Sequence, residues 1–208
     1  MTDFFSLLRE TRAPWVDGER LKAKFLELSS AAHPDRFHTA SESERESAGR
    51  RYAEVNEAYQ ALREPRSRLL HLLELEVGTK PKDIQRLPPG TMDLFVEVGQ
   101  VCREVDGFLE KRRAVTSPML KVRLFAQGLE WTERLQALQG KVNARGAELD
   151  AELQRMNAAW ESAPSEADAE ARRAVLPLAR LEEIYRVMSY AARWTEQIQE
   201  RSVQLASF

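Results

Sequence analysis

The stretch His33-Pro34-Asp35-Arg36-Phe37 decides how this chain is read. Proline fixes its own φ and pushes the residue before it out of the α region, so a helix arriving from upstream must stop at or near His33. Upstream, Leu21, Phe25 and Leu28 recur at helical spacing and make one apolar face. Asp17 is placed as the N-cap of that helix, with Val16 and Leu21 positioned for a hydrophobic staple. Downstream, a polar loop runs to about Ser41, where Ser41 with Glu44, or Ser43 with Glu46, offers a capping box. Tyr52, Val55, Tyr59 and Leu62 then form the stripe of a returning helix, which Pro65 ends. A short helix from Phe4 to about Glu10, capped by Asp3, precedes the pair, and Arg66 to Leu75 read as a leucine-rich fourth helix.

The whole chain has 208 residues, with 31 Lys plus Arg against 33 Asp plus Glu, a formal net charge of -2. That balance speaks against a dedicated binder of nucleic acid or anionic membrane. A hydrophobic fraction of 43% with 31% charged residues fits a globular fold rather than a disordered chain, and no apolar stretch is long enough to span a bilayer. The lone Cys102 excludes an intrachain disulfide, and the opening Met1-Thr2-Asp3-Phe4-Phe5 lacks a signal-peptide pattern. A reducing cytoplasm is the expected compartment.

Helical periodicity dominates and β-type alternation is nearly absent, so the fold class expected is all-α. Residues 1–77 read as one helical unit, 78–90 as a connector punctuated by proline and glycine, and 91–208 as a second helical unit. A lone core of 77 residues is marginal, so packing against the second unit is expected to support it. Three seams follow: Leu94, Val98, Val101, Val105 and Phe108; then Leu135, Leu138, Val142, Leu149, Leu153, Met156 and Trp160; then Leu178, Leu181, Tyr185, Met188 and Ile198. They predict an antiparallel three-helix bundle. Ser117-Pro118 suits the start of the middle helix, Gly128, Gly140 and Gly146 weaken or break it, and Ser162-Ala163-Pro164-Ser165 reads as a turn between two long helices.

The chemistry of the corner follows from its residues. Asp35 is an acceptor-only carboxylate on a turn that loses little freedom on docking, suited to a bidentate pair with a partner arginine. His33 stands at a helix C-terminus, where its ring can cap carbonyls. Arg20, Lys22 and Lys24 offer an acidic partner a basic surface, although cations on a helix are commonly just solvated. An ordinary turn, with Asp35 folded back on nearby amides, is the competing reading of the tripeptide. No nucleophile–base pair and no metal-ligand spacing stand out, so neither catalytic residues, nor a metal, nor a cofactor is expected. Cys102 falls on a seam and reads as a small buried hydrophobe.

His33-Pro34-Asp35, set between two amphipathic helices after a short first helix, resembles the J domain of co-chaperones that engage DnaK-type ATPases. The opening Asp3-Phe4-Phe5-Ser6-Leu7-Leu8 resembles the HscB type, the co-chaperone of iron–sulfur cluster assembly. Val55-Asn56-Glu57-Ala58-Tyr59-Gln60-Ala61-Leu62 and Pro65-Arg66-Ser67-Arg68-Leu69-Leu70-His71-Leu72-Leu73-Glu74-Leu75 are similar to segments of that type, with Leu69 and His71 in place of its alanine and tyrosine. The resemblance implies a J domain joined to a client-binding bundle. It also implies a DnaK-type chaperone bound through His33, Pro34, Asp35 and Arg36 with Arg20, Lys22 and Lys24, and stimulation of that partner's ATPase. A client, the iron–sulfur cluster scaffold, would sit on Phe95, Val96, Gly99, Gln100 and Arg103. Neither nucleic acid nor membrane is an implied partner. In this chain Gly99 stands where the type has an apolar residue, and Gln100 and Arg103 where it has acids. A J-domain protein with a different client, and a helical scaffold with a relict J domain, remain alternative readings.

Overall fold

The computed structural model describes residues 2–81 and 90–207, and these are helices and connections without a strand, an all-α fold. The elements are α1 (Phe4–Leu7), α2 (Gly18–Ala31), a 3-10 turn (Pro34–Phe37), α3 (Glu42–Arg63), α4 (Pro65–Val77), α5 (Met92–Ala114), α6 (Pro118–Glu161), α7 (Ala169–Val175) and α8 (Leu178–Ala206). No described helix is long and apolar enough to cross a membrane.

The chain divides into two compact units: the described part of Met1–Asp83 with Asp150–Tyr185, and that of Ile84–Leu149 with Arg186–Phe208. The division expected at 77 and 91 assigns residues 150–185 to the second unit, whereas here they group with the first. Residues 82–89 of the expected connector lie outside the described residues.

Local rules place the first unit's helices. Asp3 caps α1 by accepting from the Phe5 and Ser6 amides, and Asp17 caps α2 by accepting from Arg20 N–H. Of the two possible capping boxes, Ser41 with Glu44 forms. Proline at the first position of α4 has no N–H to leave unpaired, and Glu64 caps that helix from outside. Alpha1 stops at Leu7 rather than near Glu10 because Arg9 takes a left-handed turn at φ 56, a conformation that glycine usually signals. Alpha4 ends at Gly78, whose φ of 83 glycine adopts without strain. Phe25 and Tyr59 stack at 4.1 Å across α2 and α3, and His33 meets Tyr52 edge-on at 5.4 Å, so the two helices run antiparallel.

Two buried basic side chains close this unit. Arg68 on α4 donates to the Pro14 carbonyl at 2.9 Å and to the Leu62 carbonyl at 2.8 Å, satisfying an orphan acceptor at the end of α3. His71 Nε2 accepts from Phe4 N–H at 3.1 Å while its ring stacks on Phe4, docking α1 on α4. Because the nitrogen accepts, this ring is neutral.

Residues 150–185 join the same unit through a buried ion pair. Arg172 on α7 grips Glu76 on α4 with two bonds of 2.9 and 2.6 Å, and Trp160 on α6 donates to the same carboxylate. Asn157 exchanges two hydrogen bonds with the Trp15 backbone, and Trp15 Nε1 donates to Asp150. The turn after α6 therefore leads into short α7 rather than directly into a long helix.

In the second unit, Val98, Val101, Cys102, Val105, Phe108 and Leu109 of α5 share a core with Leu135, Leu138 and Val142 of α6 and Trp194, Ile198 and Leu205 of α8. Glu97 pairs with Lys141 and Glu104 with Arg134, so α5 and α6 are antiparallel. Asp106 pairs with Arg201, and Arg112 donates to the Leu205 carbonyl, so α8 runs with α5 and against α6. Alpha6 is unbroken at Gly128, Gly140 and Gly146. Gly128 packs near Phe108, where a Cβ would meet the ring at 3.8 Å. The buried face of α8 carries Leu181, Ile184, Val187, Trp194 and Ile198, with Tyr185 and Met188 half-buried at its margin.

Replacing Glu76 with Gln leaves the Arg172 charge buried without its partner. It is expected to cost about 3–5 kcal/mol in urea unfolding, the usual penalty for breaking a buried pair. Burial also holds the His71 pKa below the ordinary histidine value. The unfolded chain therefore takes up this proton first, and stability present above the ordinary histidine range is lost as pH falls through it towards the folded pKa. His71→Gln, which keeps an acceptor for Phe4 N–H, should flatten the fall in urea midpoint between neutral and mildly acid pH.

Candidate functional site

Alpha2 ends at Ala31 and the His33 backbone turns extended, at φ -62 and ψ 131, as the following proline requires. Pro34 then opens the 3-10 turn at its first position. Inside the turn, Arg36 N–H donates to the His33 carbonyl at 3.0 Å. His33 Nδ1 accepts from Asp35 N–H at 3.3 Å, which places the ring proton on Nε2. The ring thus caps the 3-10 turn as an acceptor, rather than donating to the carbonyls at the end of α2. His38 Nδ1 lies 2.9 Å from the Asp35 carbonyl and ties the far side of the turn.

The Asp35 carboxylate is 90% exposed, with one oxygen 3.5 Å from His33 Nδ1. It is not folded back into the protein. Pro34 and Arg36 are exposed beside it. Next to the loop, the end of α2 and the start of α3 enclose a cleft of about 420 Å³ whose lining includes Leu28, Ala32, Phe37, Ala48 and Arg51. A rigid turn presenting a solvated anion can accept a charge-assisted, bidentate pair from a guanidinium. Among the described residues no cluster of His, Cys, Asp and Glu is arranged to hold a metal ion.

The basic set on α2 is split. Arg20 and Lys24 both turn onto Glu10, whose side chain is only 2% exposed, at 2.9 and 3.0 Å. Lys24 also donates to the Arg9 carbonyl. These two cations anchor the loop after α1 to α2. Lys22 is exposed on another face, and Arg20 lies eleven residues before the end of α2, roughly 16 Å of helix. Leu26, one turn beyond Lys22 on the same face, is 55% exposed. It falls off the Leu21, Phe25, Leu28 stripe, so its exposure was readable from spacing. Glu10 carried no such signal, because its burial depends on partners ten and fourteen residues away.

On α5, Phe95, Val96, Gln100 and Arg103 are exposed and Gly99 partly so, forming one face away from the core. Met92, also exposed, extends that face by one turn. Gln100 donates to Glu104, and the Arg103 guanidinium lies 3.6 Å from where a Cβ on Gly99 would stand.

Comparison with known proteins follows the same lines. A curated protein of Pseudoalteromonas atlantica, "Co-chaperone protein HscB homolog", is 42% identical over 73 residues, covering 35% of this chain and 42% of that protein. The protein so named in Vibrio vulnificus is 47% identical over 73 residues, covering 34% of this chain and 43% of that protein. Over that stretch the chain is similar to the HscB co-chaperones. The match spans less than half the length of those curated HscB proteins. No family model matches the chain. The crystal structure of human co-chaperone protein HscB shares its fold, with a TM-score of 0.60 and 22% identity over 96% of this chain and 81% of that one.

Proposed function

We propose that this chain is a J-domain co-chaperone that acts in the cytoplasm, binds a DnaK-type chaperone through His33, Pro34 and Asp35, and stimulates ATP hydrolysis on that partner. The observation that carries this reading is the Asp35 carboxylate, 90% exposed on a turn whose amide is already held by His33. Likeness to the HscB co-chaperones supports it. Arg36 flanks the anion. On α2, Lys22 and Leu26 supply a cation and an apolar contact, while Arg20 and Lys24 act mainly by holding Glu10. The same residues 1–77 would constitute the J domain.

The outward face of α5 is then the client surface, and the iron–sulfur cluster scaffold is the client the resemblance implies. A specific feature favours a different client as second reading. Gly99 removes an apolar contact from the centre of that face, and Arg103 stands beside the gap.

Single-turnover ATP hydrolysis by the cognate chaperone tests the first part. Wild-type chain should accelerate it by at least about tenfold, and Asp35→Asn, which keeps size but removes the charge, should abolish the acceleration. Equal stimulation by the variant would overturn the mechanism. For the client, Val96→Asp in the full chain should leave ATPase stimulation intact and weaken scaffold binding by roughly tenfold or more in titration calorimetry. Wild-type chain that stimulates the ATPase but does not bind the scaffold would establish the second reading.

A further inference from the structure

We propose that the end of α5 and the first three turns of α6 form a peripheral docking surface for an anionic lipid membrane. The near-neutral charge of the whole chain conceals a one-signed segment. Residues 111–129 contain Lys111, Arg112, Arg113, Lys121 and Arg123 and no Asp or Glu. Arg112 is engaged, donating to carbonyls at the end of α8. Lys111, Arg113, Lys121 and Arg123 are exposed, and Arg113 and Lys121 line one cavity, which brings the two helix ends together.

Met119, Val122 and Leu129, beside these cations, lie away from the core that α6 shares with α5 and α8. Successive helical residues turn by about 100°, so Leu124, Trp131, Leu135, Leu138 and Val142 lie on the core side of α6. Met119, Val122, Phe125, Ala126 and Leu129 lie on the opposite side. Met119 is 81% exposed, Val122 72%, and Phe125 and Leu129 about half. This second stripe spans three turns and gives way to Glu133 and Gln136. Lys121 borders it on one edge and Arg123 on the other, with Glu130 two turns further along the Arg123 edge, where the stripe ends.

The arrangement selects its occupant. A convex apolar ridge bordered on both edges by long cationic side chains matches an interfacial helix. Its apolar side chains enter the acyl boundary while Lys and Arg reach up to anionic headgroups. A second copy of this chain would bring the same cations against one another. A nucleic acid would leave Met119 and Val122 against phosphate. The contact is peripheral, since no described helix can span a bilayer, and it does not depend on the co-chaperone reading.

Vesicle co-sedimentation with the full-length chain tests this. Vesicles of phosphatidylcholine alone are compared with vesicles containing about one-third phosphatidylserine, at low and high salt. The chain should pellet with the anionic vesicles and not the neutral ones, and high salt should release it. Met119→Ser with Val122→Ser, and separately Lys121→Glu with Arg123→Glu, should each lower the bound fraction by about tenfold while leaving the circular-dichroism melting curve unchanged, because all four side chains are exposed. No binding to anionic vesicles, or binding that both variants retain, overturns the proposal. So does saturable binding of a Leu/Glu amphipathic peptide that the variants abolish without any vesicle binding, which would assign the ridge to an acidic protein partner.

Discussion

The corner at His33-Pro34 is the constraint on which the first unit's arrangement and its chemistry both depend. Pro34 forbids His33 the α conformation, so α2 cannot continue, and the chain must leave the helix at one place and in one direction. The turn that follows is short enough for Phe25 to stack on Tyr59 and His33 to meet Tyr52. Those ring contacts set α3 against α2. The same geometry fixes what the loop shows to solvent. The Asp35 amide is bonded inward to the His33 ring, which leaves its carboxylate outside, 90% exposed, with one oxygen 3.5 Å from the same ring nitrogen. Stiff backbone and free anion are consequences of one tripeptide. A more flexible loop would lose freedom on docking, and an anion paired at home would have to break that pair first.

What could be read from the sequence was what short-range chemistry determines. Asp3 and Asp17 cap their helices, Pro65 ends α3, and one of the two capping boxes at the start of α3, Ser41 with Glu44, closes, because each decision is taken within four residues. The exposure of Asp35 was legible for the same reason: a carboxylate just after a proline turn has few local amides to fold onto. The illegible features depend on distant residues or on a conformation with no usual signature. Arg9 ends α1 in a left-handed turn although it is not glycine. Arg20 and Lys24 read as free surface cations until Glu10 is placed between them. Alpha6 survives three glycines because helix propensity, at about 1 kcal/mol for each, is small beside the apolar seam that runs along its length.

The regrouping of residues 150–185 has a similar origin. Glu76 and Arg172 stand 96 positions apart, and nothing in either neighbourhood announces the pair. Once formed, the pair is demanding. A carboxylate and a guanidinium taken out of water must satisfy each other and their remaining hydrogen-bonding capacity. Trp160 gives the carboxylate another donor, and the Pro164 carbonyl takes one of the guanidinium's protons. Three stretches of chain are thereby fixed by one ion pair: the end of α4, the end of α6 and α7. A core of fewer than eighty residues gains from such reinforcement, because so small a unit buries a modest share of its apolar surface by itself. Division of a chain by composition finds the proline-rich connector, but division by packing follows the ion pair.

The second unit carries more apolar surface than its folding uses. Alpha5 and α6 each bury one stripe in the core they share with α8, and each holds a second set of large side chains turned outwards. Core packing does not account for Met92, Phe95, Val96, Met119 and Val122, since exposed apolar side chains add nothing to the core and raise the risk of aggregation. Their surroundings differ in a way that separates their uses. The α5 face mixes Met92, Phe95 and Val96 with Gln100 and Arg103 and has Glu97 and Glu104 alongside, so it can discriminate among protein surfaces by hydrogen bonds and charge of both signs. The α6 ridge has Lys121 and Arg123 at its edges and meets its first acids, Glu130 and Glu133, only where it ends. Burying both would take a different bundle; both stripes stay exposed on the second unit, while the anion at residue 35 is presented from the first.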